Sequence, residues 1–470
     1  MNPDPISGWA KHAWREVPRA ELPKRAAEER VSDFHEIYSI LDEQTAREQA
    51  RRCVQCPNPA CVDGCLMKNR IPEWLGLVAE GRFLEAADLS RASGCLPEIC
   101  VRLCPQLCEC ACILNGPGEP VAINAIERFI HEYAFAHGAV ELPCVEPNGF
   151  KVAVIGSGPG GLACADDLVK KGYAVTVFES QLLPGGLLVN GVPTFKLEKE
   201  VVQRRINLLR RCGVRFRLGV MVGRDISLEE LRAEYDAVFL CVGARQARPL
   251  ELPGAGLQGV FQALPFLMQK TGEFQVDHPR IEVKGKRVAV LGAGSTAMDC
   301  LRTAIRCGAS EAICISRRDA ANIRCGGRDY SNALEEGAKF KFLTQPIALL
   351  GDASDQVTHM RCRQTELEAP DASGRLEPRP VHGTEFNVPT DVVLVACGFD
   401  PVPFPARSDL AQLAVNESGQ VLVNALQMTS IPGVFAGGDL VRGPSLVVHA
   451  VRDARKAAAG IHTYLSEQAK

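Results

Sequence analysis

The sequence carries no excess of either charge. Its 53 lysines and arginines against 56 aspartates and glutamates leave a formal −3, which supplies no general field for nucleic acid or an anionic membrane and leaves only a local patch open. It also lacks any apolar run of the roughly 20 residues that a bilayer demands. The longest charge-free stretch, Ser418 to Gly438, contains Gln420, Asn424, Gln427, Thr429 and Ser430 and is broken by Pro432. The opening string MNPDPISGWAKHAWRE has no apolar signal-peptide core, so a cytoplasmic chain is expected. Low-complexity tracts are missing too, and 46% apolar with 23% charged residues excludes wholesale disorder and collagen-like repeats. At roughly 150 residues per domain, 470 residues predict about three domains.

What the chain has in abundance is cysteine. Of 20 cysteines, ten fall between Cys53 and Cys112. In a reducing compartment a disulfide framework explains such a cluster poorly, and metal binding explains it better. Helices are predicted around these cysteines: one capped by Asp42 in DEQTAREQARRC, one over IPEWLGLVAEGRFLEAADLSRA interrupted near Gly81, and one over AINAIERFIHEYAFAHG. Residues 1 to about 40 read as an extended arm lying over the rest, and Pro143, Pro147 and Gly149 mark a linker.

Beyond the linker the periodicity changes to strand, turn, helix, strand, and does so twice. KVAVIGSGPGGLACADDLVKKGYAVTVFES carries Gly156, Gly158 and Gly161 and ends a strand at Glu179. The glycines permit a tight turn, close approach of backbone to a pyrophosphate and close helix packing, while the helix N-terminus faces the phosphates. Glu179 stands where a carboxylate accepts ribose hydroxyls. The bland reading is a glycine turn that only closes a corner. The second copy, KRVAVLGAGSTAMDCLRTAIRCGASEAICISRRD, has Gly292, Gly294 and Ala297, with Arg317 and Arg318 at the acid position. Guanidiniums there suit a ribose 2′-phosphate and favour NADPH over NADH; the alternative is a solvated basic turn. One acidic and one basic ribose position imply two different dinucleotides, which fits FAD and NADPH exchanging a hydride. Asp439, after Gly437 and Gly438, is placed to accept from a flavin's ribityl chain, or is merely a turn aspartate.

The cysteines form two runs, Cys53, Cys56, Cys61, Cys65 and then Cys100, Cys104, Cys108, Cys110, Cys112. Two knuckles on zinc are one reading. The close multiple spacings favour iron–sulfur clusters, in which the last cysteine of a run serves the other cluster.

These motifs together resemble the small (beta) subunit of bacterial glutamate synthase, whose architecture also forms the N-terminal part of dihydropyrimidine dehydrogenase. The resemblance runs from about Val31 to Tyr464 and rests on IPEWLGLVAEGRFLEAADLS, LPEICVRLCPQ, INAIERFI, GVPTFKLEKEVVQRR, RDISLEELRAEYDAVFLCVGA, GKRVAVLGAGSTAMDCLRTAIRCGA and VFAGGDLVRG. It implies an α/β chain: a helical two-cluster iron–sulfur domain (1–146), then two Rossmann-like domains, with an FAD domain (147–280 and 391–470) split by an inserted NADPH domain (281–390). It implies two 4Fe-4S clusters, one on Cys53, Cys56, Cys61 and Cys112, the other on Cys65, Cys104, Cys108 and Glu127, the last of these otherwise a helix cap or ion-pair partner. Cys95, Cys100 and Cys110 are then spare thiols. Gly185, Gly186 and Leu187 are expected against the flavin ring. No catalytic side chain is required, because the cofactors perform the chemistry.

The sequence departs from that family at several points: Leu66 follows Cys65 where proline is usual, the gap from Cys104 to Cys108 is short, and Ser295 replaces an acid. Ile323-Arg324-Cys325 replaces Met-Pro-Gly, and Asp453-Ala454 replaces Glu-Gly. The implied activity is NADPH-dependent electron input to an external acceptor, the large glutamate synthase subunit, which forms glutamate from glutamine and 2-oxoglutarate. The alternatives are electron input to a dihydropyrimidine dehydrogenase or another oxidoreductase, or a zinc-bound or degenerate scaffold without activity.

Overall fold

The computed structural model describes residues 13–116, 118–141, 145–271, 279–323, 325–370, 376–405 and 407–468. The first 12 residues of the expected arm, Pro143 of the expected linker and Arg324 lie outside them.

The head is helical, as its periodicity predicts. Asp42 caps Glu43–Arg51 by accepting from the Thr45 amide at 2.8 Å. Ile71–Glu80 ends at Gly81, whose φ of 84° gives the left-handed C-cap that divides it from Phe83–Ser93. Ile123–Ala136 packs across both, and the fully buried Trp74 with Phe83 and Phe129 fills the space between them. Short helices Pro97–Leu103 and Leu107–Cys110 carry the second cysteine run. The head shares one apolar core with the domain that follows, since the same cluster runs from Leu22 through Trp74 to Val152 and Leu465.

Two five-stranded parallel sheets follow. The first has the spatial order Val434–Ala436, Ala237–Leu240, Lys151–Ile155, Ala174–Glu179, Arg215–Leu218. Its inner strands are buried on both faces because helices Pro159–Val169, Lys199–Arg211 and Val447–Gln468 and the chain beyond Ser227 cover it, which explains their continuous apolar runs. The second has the order Val260–Gln262, Val392–Val395, Arg287–Leu291, Glu311–Ile315, Lys339–Lys341. Appended to it is an antiparallel sheet of Thr344–Gly351, Val357–Pro370, Leu376–Pro380 and Phe386–Pro389.

The strand pairing moves both expected boundaries of the inserted domain. Val260 pairs with Val393, and Val392 pairs with Val288, so the strand at 260–262, the helix Ala263–Thr271 and the strand at 392–395 belong to the second sheet, not to the flanking segments 147–280 and 391–470. The chain crosses between domains at a two-stranded ribbon in which Ala247 pairs with Phe399. A short strand without a glycine turn behind it has no local mark of which sheet it joins.

Candidate functional site

The first glycine turn stands at the carboxyl end of the first sheet, where doubly wound folds bind ligands. A Cβ on Gly161 would lie 1.9 Å from the Gly156 carbonyl oxygen, so only glycine lets the helix pack this closely on the turn. At Gly158, by contrast, a Cβ would meet nothing within 4 Å. That opening lies at the N-cap of Pro159–Val169, a cradle fit for a pyrophosphate. Glu179 is buried and accepts from the Ser157 amide at 3.0 Å and hydroxyl at 2.6 Å, and from the Gln181 amide at 2.9 Å. Ser157 Oγ in turn accepts from the Gly185 amide at 2.9 Å. A single hydroxyl thus ties the turn, the ribose-position acid and the Gly185-Gly186-Leu187 loop together. Gly186 lies so close that its Cβ would be 2.8 Å from Gly158 Cα.

Gly438 and Asp439 reach the same place from the last strand. Cβ atoms on Gly160 and Gly438 would sit 2.3 and 3.2 Å from Cys241 Sγ, so both segments close over that thiol. Burial pushes the Asp439 carboxyl up to about 6, although Ser445 donates to it from its amide and its hydroxyl. All the expected flavin-side residues are therefore neighbours.

The second turn repeats the arrangement. A Cβ on Gly292 would lie 2.5 Å from the Ala396 oxygen, Gly294 faces open space, and Ala297 is fully buried in the first turn of the helix Ser295–Arg306. Arg317 is exposed and Arg318 half-buried at the end of Glu311–Ile315. Among the described residues no carboxylate pairs with either guanidinium; the Thr365 hydroxyl donates to the Arg317 carbonyl and Arg318 Nε donates to the Leu376 carbonyl. Two cations left without a protein anion suit a phosphate.

The cysteines line two separate hollows. One is walled by Cys53, Cys56, Cys61 and Cys112 with Pro59, Leu75 and Ile113. The other is walled by Cys65, Cys104, Cys108 and Glu127, and also by Cys95 and Cys100, both expected only as packing thiols. Burial pushes Cys53 up to about 12 and both Cys61 and Cys104 up to about 11, so these thiols give up protons when metal binds. Burial raises Glu127 to about 7 against hydrogen bonds from Asn69 Nδ2 at 2.7 Å and Ser90 Oγ at 3.1 Å. Cys110 is exposed, and the Cys95 thiol donates to Asp167 at 2.8 Å.

Sulfur spacing separates the two metal readings. Four thiolates on one zinc at 2.3 Å would sit roughly 3.8 Å apart. Among the described residues, the one group of three metal-ligating side chains whose atoms lie within 4.8 Å of one another is Cys95, Asp166 and Asp167. Those acids are engaged by Lys170, Arg205 and Arg455. In neither hollow do three such ligand atoms lie within 4.8 Å of one another, which favours a larger cluster over a single zinc.

Ser157, Cys241, Asn69 and Ser90 went unnoticed in the sequence. Ser157 stands inside the glycine motif, where a hydroxyl was the available signal; the others are brought in by tertiary packing alone.

Comparison with known proteins agrees with this geometry. Residues 150–454 match the pyridine nucleotide-disulphide oxidoreductase family, and residues 30–139 match dihydropyrimidine dehydrogenase domain II, 4Fe-4S cluster. The chain is 43% identical to the glutamate synthase [NADPH] small chain of Escherichia coli K12 over 96% of this chain and 98% of that one. It is 41% identical to the putative oxidoreductase AegA of the same organism over 95% of this chain and 70% of that one. Mycobacterium tuberculosis FprA, solved in complex with NADPH, shares the fold at 21% identity with a TM-score of 0.60, covering 69% of this chain and 86% of FprA. The chain belongs to the glutamate synthase small-chain family, as a pyridine-nucleotide oxidoreductase whose cofactors are FAD, a nicotinamide dinucleotide and 4Fe-4S iron.

Proposed function

We propose that this chain is an NADPH-dependent electron-input subunit that delivers single electrons to a partner, the large subunit of a glutamate synthase in the cytoplasm. The observation that carries the reading is the pairing of two dinucleotide turns with two thiol-lined hollows on one chain. When bound, these cofactors would supply the conversion of a two-electron hydride into single electrons.

The residues do the holding. Arg317 and Arg318 bind the 2′-phosphate, and the amides beyond Gly294 face the pyrophosphate of the nicotinamide dinucleotide. Gly156, Gly158 and Gly161 would admit the flavin's pyrophosphate, Glu179 and Asp439 would accept from its sugar hydroxyls, and the Gly185–Leu187 backbone would face its ring. Cys53, Cys56, Cys61 and Cys112 hold one cluster, and Cys65, Cys104, Cys108 and Glu127 the other. The second hollow includes Val448, in the helix that follows Asp439, so a cluster held there would lie on the flavin side. The first opens beside Ile113, which is 62% exposed, so a cluster held there would be the one within a partner's reach.

The likeness to AegA supports a second reading, in which the acceptor is another oxidoreductase module. The test mixes the purified chain with a candidate large subunit, NADPH, glutamine and 2-oxoglutarate. Glutamate formation that needs both proteins supports the first reading; reduction of the chain by NADPH without transfer to that subunit favours the second.

A further inference from the structure

Between the flavin-side loop and helix Lys199–Arg211, a tight turn at Pro193, whose carbonyl accepts from the Lys196 and Leu197 amides, projects two consecutive side chains out of the first sheet's domain. Both land on the helix Ser295–Arg306, the one that begins at the second glycine turn. Phe195 is fully buried with the Arg302 and Arg306 guanidiniums 4.3 and 4.1 Å from its ring centroid. Lys196 places its ammonium 3.1 Å from Asp299, in that helix's second turn, and 2.9 Å from Asp329. The same two arginines converge on Glu336 at 2.9 and 2.6 Å, and Glu336 also accepts from Arg30 of the N-terminal arm at 2.9 Å. The arm closes the assembly where the Ile37 amide donates to the Phe195 carbonyl.

Interfaces between domains of one chain are by default polar and mobile. This one buries Arg30, Arg302, Arg306 and Glu336 with their side chains at most 1% exposed. Paired charges at that depth tolerate one arrangement, because sliding strands a desolvated charge. Phe195 grips the carboxyl half of the helix and Lys196 its amino half, so translation and rotation are both opposed.

We propose that Lys196, with Phe195, is a positioning residue that pins the nucleotide domain to the flavin domain in the orientation used for hydride transfer, with the N-terminal arm as its outer brace through Arg30 and Glu336. The proposal rests on the FAD and NADPH reading above. Lys196 does its work by holding the helix that presents the dinucleotide, not by binding the dinucleotide itself. A misplacement of about 1 Å between reacting groups costs on the order of a hundredfold in rate, while the dinucleotide's own contacts are left intact.

The experiment compares the full flavin-loaded chain with Lys196→Met and Lys196→Arg, measuring three quantities: NADP+ affinity by titration, the rate constant of flavin reduction at saturating NADPH, and hydrogen exchange across 295–306. Lys196→Met is expected to slow reduction roughly 10- to 100-fold, to change NADP+ affinity by less than about threefold, and to raise exchange in that helix. Lys196→Arg keeps both ion pairs and is expected to restore most of the rate. A Lys196→Met reduction rate within about threefold of the parent, or a rate loss matched by an equal loss of affinity, overturns the proposal. If Lys196→Met does not fold, Arg30→Ala, remote from both turns, is read by the same split and decides the question. Failure of the parent chain to be reduced by NADPH would instead refute the underlying functional reading.

Discussion

Arg205 donates to Glu98 through Nε at 2.6 Å and Nη2 at 2.7 Å, a two-pronged ion pair with both side chains at most 1% exposed. Glu98 stands on the helix that leads into Cys104, and Arg205 stands on Lys199–Arg211 beside the first sheet. The pair therefore fixes the cluster head against the flavin domain. Asp166 accepts a further bond from Arg205 at 3.3 Å. Removing one member leaves a desolvated charge, so Glu98→Gln is expected to cost about 3–5 kcal/mol in denaturant unfolding. A loss below about 1 kcal/mol would show that the pair is dispensable.

The same carboxylates set the acid limit of the fold. Burial alone would raise Glu98, but the charge and hydrogen bonds of Arg205 hold it down at about 2. Glu336 is likewise held at about 2, its burial outweighed by hydrogen bonds from Arg302 and Arg306. A group whose pKa is lower in the folded than in the unfolded chain stabilises above its unfolded value and loses that contribution as pH falls through the folded one. With an ordinary value of 4.5, each contributes roughly 3 kcal/mol at neutral pH that disappears between about pH 4.5 and 2. Unfolding midpoints are expected to fall steeply across that window in the parent and less steeply in Glu98→Gln. Equal slopes would contradict the linkage.

Cofactor preference follows from Arg317 and Arg318. Each charged hydrogen bond to a phosphate is worth about 1.5–3 kcal/mol. Arg317→Ala and Arg318→Ala are therefore expected to raise the KM for NADPH roughly tenfold to a hundredfold while leaving NADH nearly unaffected. Parallel losses with both nucleotides would reduce these arginines to a solvated basic turn.

The second hollow is lined by six cysteine or glutamate donors, Cys65, Cys95, Cys100, Cys104, Cys108 and Glu127, for a four-iron cluster. With Glu127 as the fourth ligand, Glu127→Ala disturbs the signal of one cluster and spares the other, while Cys100→Ser leaves both intact. Electron paramagnetic resonance of the reduced protein reads this directly; an unchanged Glu127→Ala spectrum would transfer the ligand role to Cys100.

The legible parts of the sequence were those with a local cause. Asp42 caps its helix and Gly81 breaks the next pair because capping and left-handed backbone depend on nearby residues. Both glycine turns stand between strand and helix because the motif spans one supersecondary unit. Long-range relationships were not legible. Glu98 and Arg205 are separated by 107 positions, and Phe195 and Lys196 stood out only as part of the family-like string GVPTFKLEKEVVQRR, which does not say what they touch. The four antiparallel strands between Thr344 and Pro389 carry mixed burial without a clean alternation, so period-2 patterning did not mark them. The inserted domain's boundaries were displaced for a related reason, since the pairing of Val393 with Val260 is decided across the sheet.

The central claim is that one chain takes electrons from NADPH and passes them through two clusters to a partner. The most direct measurement is an anaerobic titration of the purified full chain with NADPH, followed by absorbance and by electron paramagnetic resonance. The account predicts one flavin and roughly eight irons per chain, bleaching of the flavin by NADPH, and the appearance of two distinct reduced-cluster signals. A chain that contains zinc in place of iron, or whose flavin bleaches without either cluster signal even at low potential, would contradict it.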